Sequence, residues 1–290
     1  MKTQLSDRTV NFEKIIIGSI LILSGLILIY LSINGPFYLN TIKYKTSLSA
    51  ISQIKGQDII NLFLIAPLLI TGGLSHILNK SISKYLIILT PVYLMYYGLS
   101  MGIGMEWGSE NYSGDSEKLT FHFLFLIISG LVTMMYSYSL FKPAGKVEFN
   151  KKHLFIYSVI FVIFILLFSS MWLKEVFLVM SSNYPASYGQ NPVLFWVIRY
   201  LDLGFTIPLG FLSVYLLWTR PDTAFPIQLL FYGFFMTTVT AVCSMGFLMY
   251  LDNAPDFSFG GLLVFLSLAV IVFTGFVFIM KVYLKSNYKT

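Results

Sequence analysis

The stretch IIIGSILILSGLILIYLSI, Ile15–Ile33, decides the class of fold. It runs for 19 residues without a charge, and a helix of about 20 apolar residues crosses the roughly 30 Å hydrocarbon core of a bilayer. The segment that follows, Ser32-Ile33-Asn34-Gly35-Pro36, has no small-x-small cleavage pattern, so the stretch reads as an uncleaved first span and not as a secretory signal. Seven further stretches have the same character: Ile59–Leu78, Tyr85–Gly104, Leu119–Phe141, Leu154–Leu173, Phe195–Leu217, Ile227–Tyr250 and Phe257–Lys281. None alternates strictly, which favours helices over a membrane barrel. The expected fold is an all-α polytopic membrane helix bundle of about eight transmembrane helices.

Composition agrees. Of the 290 residues 57% are apolar and only 11% charged, against roughly 25% charged in ordinary soluble domains. That excludes a soluble globular enzyme, a disordered chain and a nucleic-acid-binding module. The single cysteine, Cys243, rules out an intramolecular disulfide and reads as a packing residue within an apolar run.

The net charge of +6 is a topology signal. With both termini placed in the cytoplasm, 13 of the 19 basic residues fall at the inner ends of the spans, among them Lys14, Lys80, Lys84, Lys151, Lys152, Arg220 and Lys281. Most acidic residues, from Asp58 through the Glu106–Glu117 loop to Asp252 and Asp256, fall on or near the outer side. The lipid bilayer, with its anionic inner leaflet, is the expected partner, and the plasma membrane the expected location. Trp107, Trp172, Trp196 and Trp218 all stand at predicted span ends, the headgroup level that tryptophan prefers.

Two matches suggest an internal repeat. Asn61-Leu62-Phe63-Leu64-Ile65-Ala66-Pro67-Leu68 aligns with Asp202-Leu203-Gly204-Phe205-Thr206-Ile207-Pro208-Leu209, an offset of 141. Ser100-Met101-Gly102 aligns with Ser244-Met245-Gly246, an offset of 144, and both runs favour close helix packing. The chain then divides into two parallel four-helix repeats, 1–148 and 149–290. A pseudo-two-fold axis along the membrane normal would relate them, as in parallel-repeat transporters.

Ionisable groups inside a bilayer are costly and normally mark functional paths. Asp58 and Asn61 enter span 2 from outside; Arg199 and Asp202 enter span 6 with the same spacing. An axis running between spans 2 and 6 would bring these four together near the outer mouth. Two readings stand side by side. In one, Arg199 and Asp202 form a local ion pair that locks the bundle. In the other, all four line an outward-facing cavity, where Arg199 attracts an anionic group and Asp202 a cation or proton. Pro67 and Pro208 each remove a mid-span backbone donor, giving either a packed kink or a hinge.

Histidine is too scarce for a three-His zinc site: His76 and His153 lie near the inner surface and His122 near the outer one. No phosphate-binding loop or dinucleotide fingerprint is present, and no metal or cofactor is predicted. Gly56-Gln57-Asp58, the apolar run to Pro67-Leu68-Leu69, and the Tyr-rich third span with Tyr93, Tyr96 and Tyr97 resemble a pattern in uncharacterised bacterial eight-span membrane proteins. Asp202 with Pro208 is similar to the second-half pattern of that group. The resemblance implies a bacterial plasma-membrane protein and brings no activity. The leading functional expectation is therefore non-enzymatic transport, or binding of a small solute or ion. A membrane enzyme acting on a lipid-linked substrate through Asp58, Glu106, His122 or Asp202 is the alternative. A sensory or assembly subunit working through a membrane partner or a second copy is the third.

Overall fold

The computed structural model describes residues 2–105, 113–115, 117–142 and 147–287. It is an all-α polytopic bundle with eight helices long and apolar enough to cross a membrane: Asn11–Asn34, Leu48–Ile77, Ser83–Gly102, Glu117–Ser139, Lys151–Met180, Pro192–Thr219, Pro221–Leu251 and Phe259–Lys285. These are spans 1 to 8 below. At one face, called the loop face here, Tyr44–Lys45 pairs antiparallel with Ser113–Gly114 and ties the connection after span 1 to the one after span 3.

Spans 2 and 5 differ most from the sequence expectation. Span 2 begins at Leu48, eleven residues before the expected Ile59. The added turns carry Ser49, Ser52, Gln53, Lys55 and Gln57, which lowers their hydropathy. That polar side is spent inside the protein: Ser52 Oγ and Lys55 Nζ both donate to Asp252 Oδ2, at 2.7 and 2.8 Å, at the end of span 7. Span 5 continues past Leu173 to Met180, with Val176–Met180 as its last turn. Lys174 and Glu175 interrupt the hydropathy without interrupting the backbone. At 30 residues and 1.5 Å per residue it is about 45 Å long, so it overshoots or tilts within the bilayer.

Packing follows two rings. Span 1 packs on span 2, span 2 on span 3, span 3 on span 4 and span 4 on span 1. Span 5 packs on span 6, span 6 on span 7 and span 7 on span 8, and Tyr157 stacks on Phe278, joining spans 5 and 8 at 5.3 Å between ring centres. Span 7 also lies along span 2, and span 3 touches spans 6 and 7. Span 7 is therefore the central helix, buried around its circumference through Leu229, Leu230, Phe231, Tyr232, Phe234 and Phe235. Gly56 makes the contact with span 2 close: a Cβ there would meet the backbone of Met245. Gly102 faces Phe123 of span 4 and Gly246 faces Leu262 of span 8, close contacts that small residues allow. Outward faces carry residues such as Ile163, Leu167, Val264 and Val270, all exposed and apolar, as lipid contact requires.

Within spans 2 and 6 the α-helix widens into a single π turn, Asn61–Ile65 and Asp202–Thr206. Each turn stands just before a proline, Pro67 or Pro208. Proline has no N–H to give and its ring presses on the carbonyl four residues back. Local widening to five-residue bonding, with Ala66 N–H on Asn61 O and Ile207 N–H on Asp202 O, accommodates both effects. The helix resumes directly after each π turn.

Candidate functional site

The four residues expected to converge form two separate clusters, because spans 2 and 6 are not packed against each other; spans 3 and 7 occupy the centre between them. Asp58 is 2% exposed and turns toward the end of span 1. Its Oδ2 accepts from Phe37 N–H at 3.4 Å, and a Cβ on Gly35 would collide with the same oxygen. Asn61 opens the first π turn and accepts from Tyr93 OH at 2.6 Å. Gln57 Nε2 also bonds Tyr93 OH. Tyr93 and Tyr97 stack with ring centres 6.2 Å apart. This first cluster is a packed polar seam between spans 2 and 3.

The second cluster surrounds Arg199. Its guanidinium pairs with Glu175 of span 5, and its Nη1 donates to Phe195 O at 3.4 Å. The rings of Phe195 and Trp172 lie 3.9 and 4.3 Å from its centre, a cation–π arrangement on two aromatic surfaces. The expected local pair with Asp202 is thus not the one formed: the acid that meets Arg199 comes from span 5. Asp202 begins the second π turn and is 5% exposed. Its carboxylate accepts one long bond from Thr206 Oγ1, at 3.4 Å, with Tyr96 and Trp172 as its other polar neighbours. Asp202 stands ten residues into span 6, about 15 Å along the helix.

Arg199, Asp202 and Glu175 line a cavity of about 720 Å³, a volume typical of small-molecule sites. It runs from the loop face, at Ser187, Asn191, Asp256 and Phe257, down to Thr206, Phe234 and Leu268 within the bundle. Its walls come from spans 2, 3, 5, 6, 7 and 8. Asp58 and Asn61 are not on them, although Gln57 and Tyr93 are. Two of the four expected residues therefore line the cavity, and two brace the helices beside it. Pro67 and Pro208 also lie off the wall, each two residues beyond its π turn.

Sequence reasoning missed Glu175 and Trp172 as site residues. Trp172 lies eight residues before the end of span 5, on the cavity wall. One usable signal was present: a second acid, Glu175, in an apolar helix needs a buried partner, and Arg199 is a buried basic residue. Of the tyrosines on span 3, Tyr93 and Tyr97 serve the first cluster and Tyr96 the second.

Among the described residues, the acid–base set considered for an enzyme does not gather. His122 stacks on Tyr30 at 5.5 Å; neither it nor Asp58 lines the cavity that holds Asp202. Glu106 and Trp107 lie outside the described residues. His76 is engaged by Ser83 Oγ at 3.3 Å and Tyr136 OH at 3.0 Å, while His153 is exposed at the start of span 5. Nearer the loop face, Lys55 and Ser52 hydrogen-bond Asp252 and hold its carboxyl below the ordinary carboxylate range.

Comparison with known proteins finds no match: no family model, curated protein or solved structure is similar to this chain.

Proposed function

We propose that this integral membrane protein binds and carries a small solute through the cavity beside Asp202. Buried charge carries the reading. Burying Arg199 and Asp202 among apolar helices, with Glu175 partly buried beside them, costs folding free energy, and here the cost is met at the wall of a recess wide enough for a ligand. A purely structural ion pair needs no such recess. The distribution of lysine and arginine supports a plasma-membrane orientation with both termini cytoplasmic, which turns the cavity outward.

We further propose that residues 1–148 and 149–290 are two copies of one four-helix unit. The π turns at Asn61 and Asp202 share the 141-residue offset of the sequence match, and the two packing rings follow the same order. On this reading the pseudo-axis passes between spans 3 and 7. One copy's π turn has become a packed seam; the other's has become the site.

A thiol-accessibility measurement tests the proposal. Thr238 lines the cavity, and Thr238→Cys in a Cys243→Ser background provides a single thiol there. A membrane-impermeant methanethiosulfonate reagent added to intact cells modifies it if the cavity is wet and outward-facing. Modification only in inside-out vesicles contradicts the orientation, and no modification from either side contradicts the cavity as a solute site.

A further inference from the structure

The composition of the wall points to the class of solute, and this inference rests on the cavity being a solute site. Among the described lining residues there is one cationic side chain, Arg199, against three carboxylates, Glu175, Asp202 and Asp256. Arg199 is also largely committed: Glu175 takes its charge, the Phe195 carbonyl takes Nη1, and two aromatic rings cover it, leaving its buried Nε without a partner. An incoming anion would find only that Nε unpaired, or have to displace those partners, and in either case would stand beside the Glu175 and Asp202 carboxylates. Among the described residues Asp202 has no ion-pair partner of its own within contact distance: it is a buried carboxylate with one long hydrogen bond from Thr206 and with Tyr96 and Trp172 beside it.

Much of the rest of the wall is aromatic and soft, with hydroxyl and amide groups such as Gln53, Gln57 and Thr238 between. Tyr96, Phe168, Trp172, Phe234, Phe235 and Phe265 present rings from spans 3, 5, 7 and 8, and ring faces attract cations. Met101, Met105, Met245 and Met249 add flexible, polarisable surface that adapts to different shapes. Among the described residues no three His, Cys, Asp or Glu side chains gather as they would to hold a metal ion. The carboxylates are spread along a largely apolar wall, which suits a large diffuse cation better than a small hard one.

We propose that the cavity takes a lipophilic organic cation, its charge beside Asp202 and its apolar body against the aromatic and methionine wall.

Tetraphenylphosphonium and tetraphenylborate, nearly identical in shape and opposite in charge, provide the test. Binding of each is measured by equilibrium dialysis to the full chain in phosphatidylcholine nanodiscs, with empty nanodiscs subtracted. The expected result is saturable binding of the phosphonium alone, weakened about tenfold or more by Asp202→Asn, a loss of about 1.4 kcal/mol. The cation–anion comparison is made on the wild-type chain, so it decides the matter even if the variant fails to fold. Borate binding equal to or tighter than phosphonium binding overturns the assignment of charge while leaving the cavity a solute site. Unchanged phosphonium affinity in a folded Asp202→Asn protein overturns it as well. If neither ion binds saturably, the inference fails, and labelling of Thr238→Cys separately decides whether the wider proposal fails with it.

Discussion

Replacing Glu175 with glutamine removes one charge and keeps a hydrogen-bond acceptor of the same size, so it isolates the electrostatic part of the Arg199 contact. The Arg199 side chain is 8% exposed and that of Glu175 28%. Stripping one partner from a fully buried pair costs about 3–5 kcal/mol, most of it the penalty of a stranded charge. Here the cost is smaller for two reasons. Glu175 retains some access to the cavity, and the Asp202 carboxylate remains near the guanidinium. We expect a loss of about 2 kcal/mol, or a fall in Tm of about 5 °C for a chain of this size. Arg199→Gln alone leaves Glu175 unpaired and should cost about as much. The double variant should cost clearly less than the two singles together, with a coupling energy of about 1–2 kcal/mol. The assay is equilibrium unfolding in mixed detergent micelles, followed by tryptophan fluorescence and repeated by far-UV circular dichroism. A Glu175→Gln loss below about 0.5 kcal/mol, or strict additivity in the double variant, would refute the claim that span 5 neutralises the buried arginine.

Two further outcomes follow from the packing. Gly35→Ala places a methyl group on the Asp58 carboxylate and should cost about 1–3 kcal/mol in the same unfolding assay; an unchanged midpoint would mean that Asp58 does not face the end of span 1. The second concerns pH: because Lys55, with Ser52, lowers the pKa of Asp252 in the folded protein, its contribution is complete above the ordinary carboxylate pKa and is lost as pH falls through the lowered value. Asp252→Asn should cost no more than about 1 kcal/mol at neutral pH, since both partners are partly exposed, and the cost should vanish in acid; a penalty that persists in acid would contradict this.

The spans were legible in the sequence because lipid demands apolar length, and length and hydropathy are linear properties. The turns of span 2 before Asp58 were not, because Ser52, Lys55 and Gln57 find partners on spans 3 and 7 that only the fold brings near. Trp172 and Glu175 were hidden for a related reason. A helix end read from hydropathy stops at Lys174-Glu175, whereas the backbone continues and carries both into the cavity wall. Arg199 and Asp202 both line the cavity, but their spacing in the sequence does not say which neighbours they meet. For the same reason Asp58 was assigned to a shared cavity when its partner is the close-packed corner at Gly35 and Phe37. The prolines announced a break in spans 2 and 6, and the form it takes, one π turn in each, depends on the packing around them.

The claim on which the account depends is that spans 3, 5, 6, 7 and 8 leave a recess beside Asp202 and do not close on it. A cryo-electron microscopy map of the protein in lipid nanodiscs, at a resolution that shows side chains, tests this directly. The account predicts an open volume bounded by Tyr96, Trp172 and Phe235, with Glu175 on Arg199 and the Asp202 carboxylate at its edge. Span 5 moved inward, with Trp172 and Phe168 filling that volume against Phe234, would contradict it.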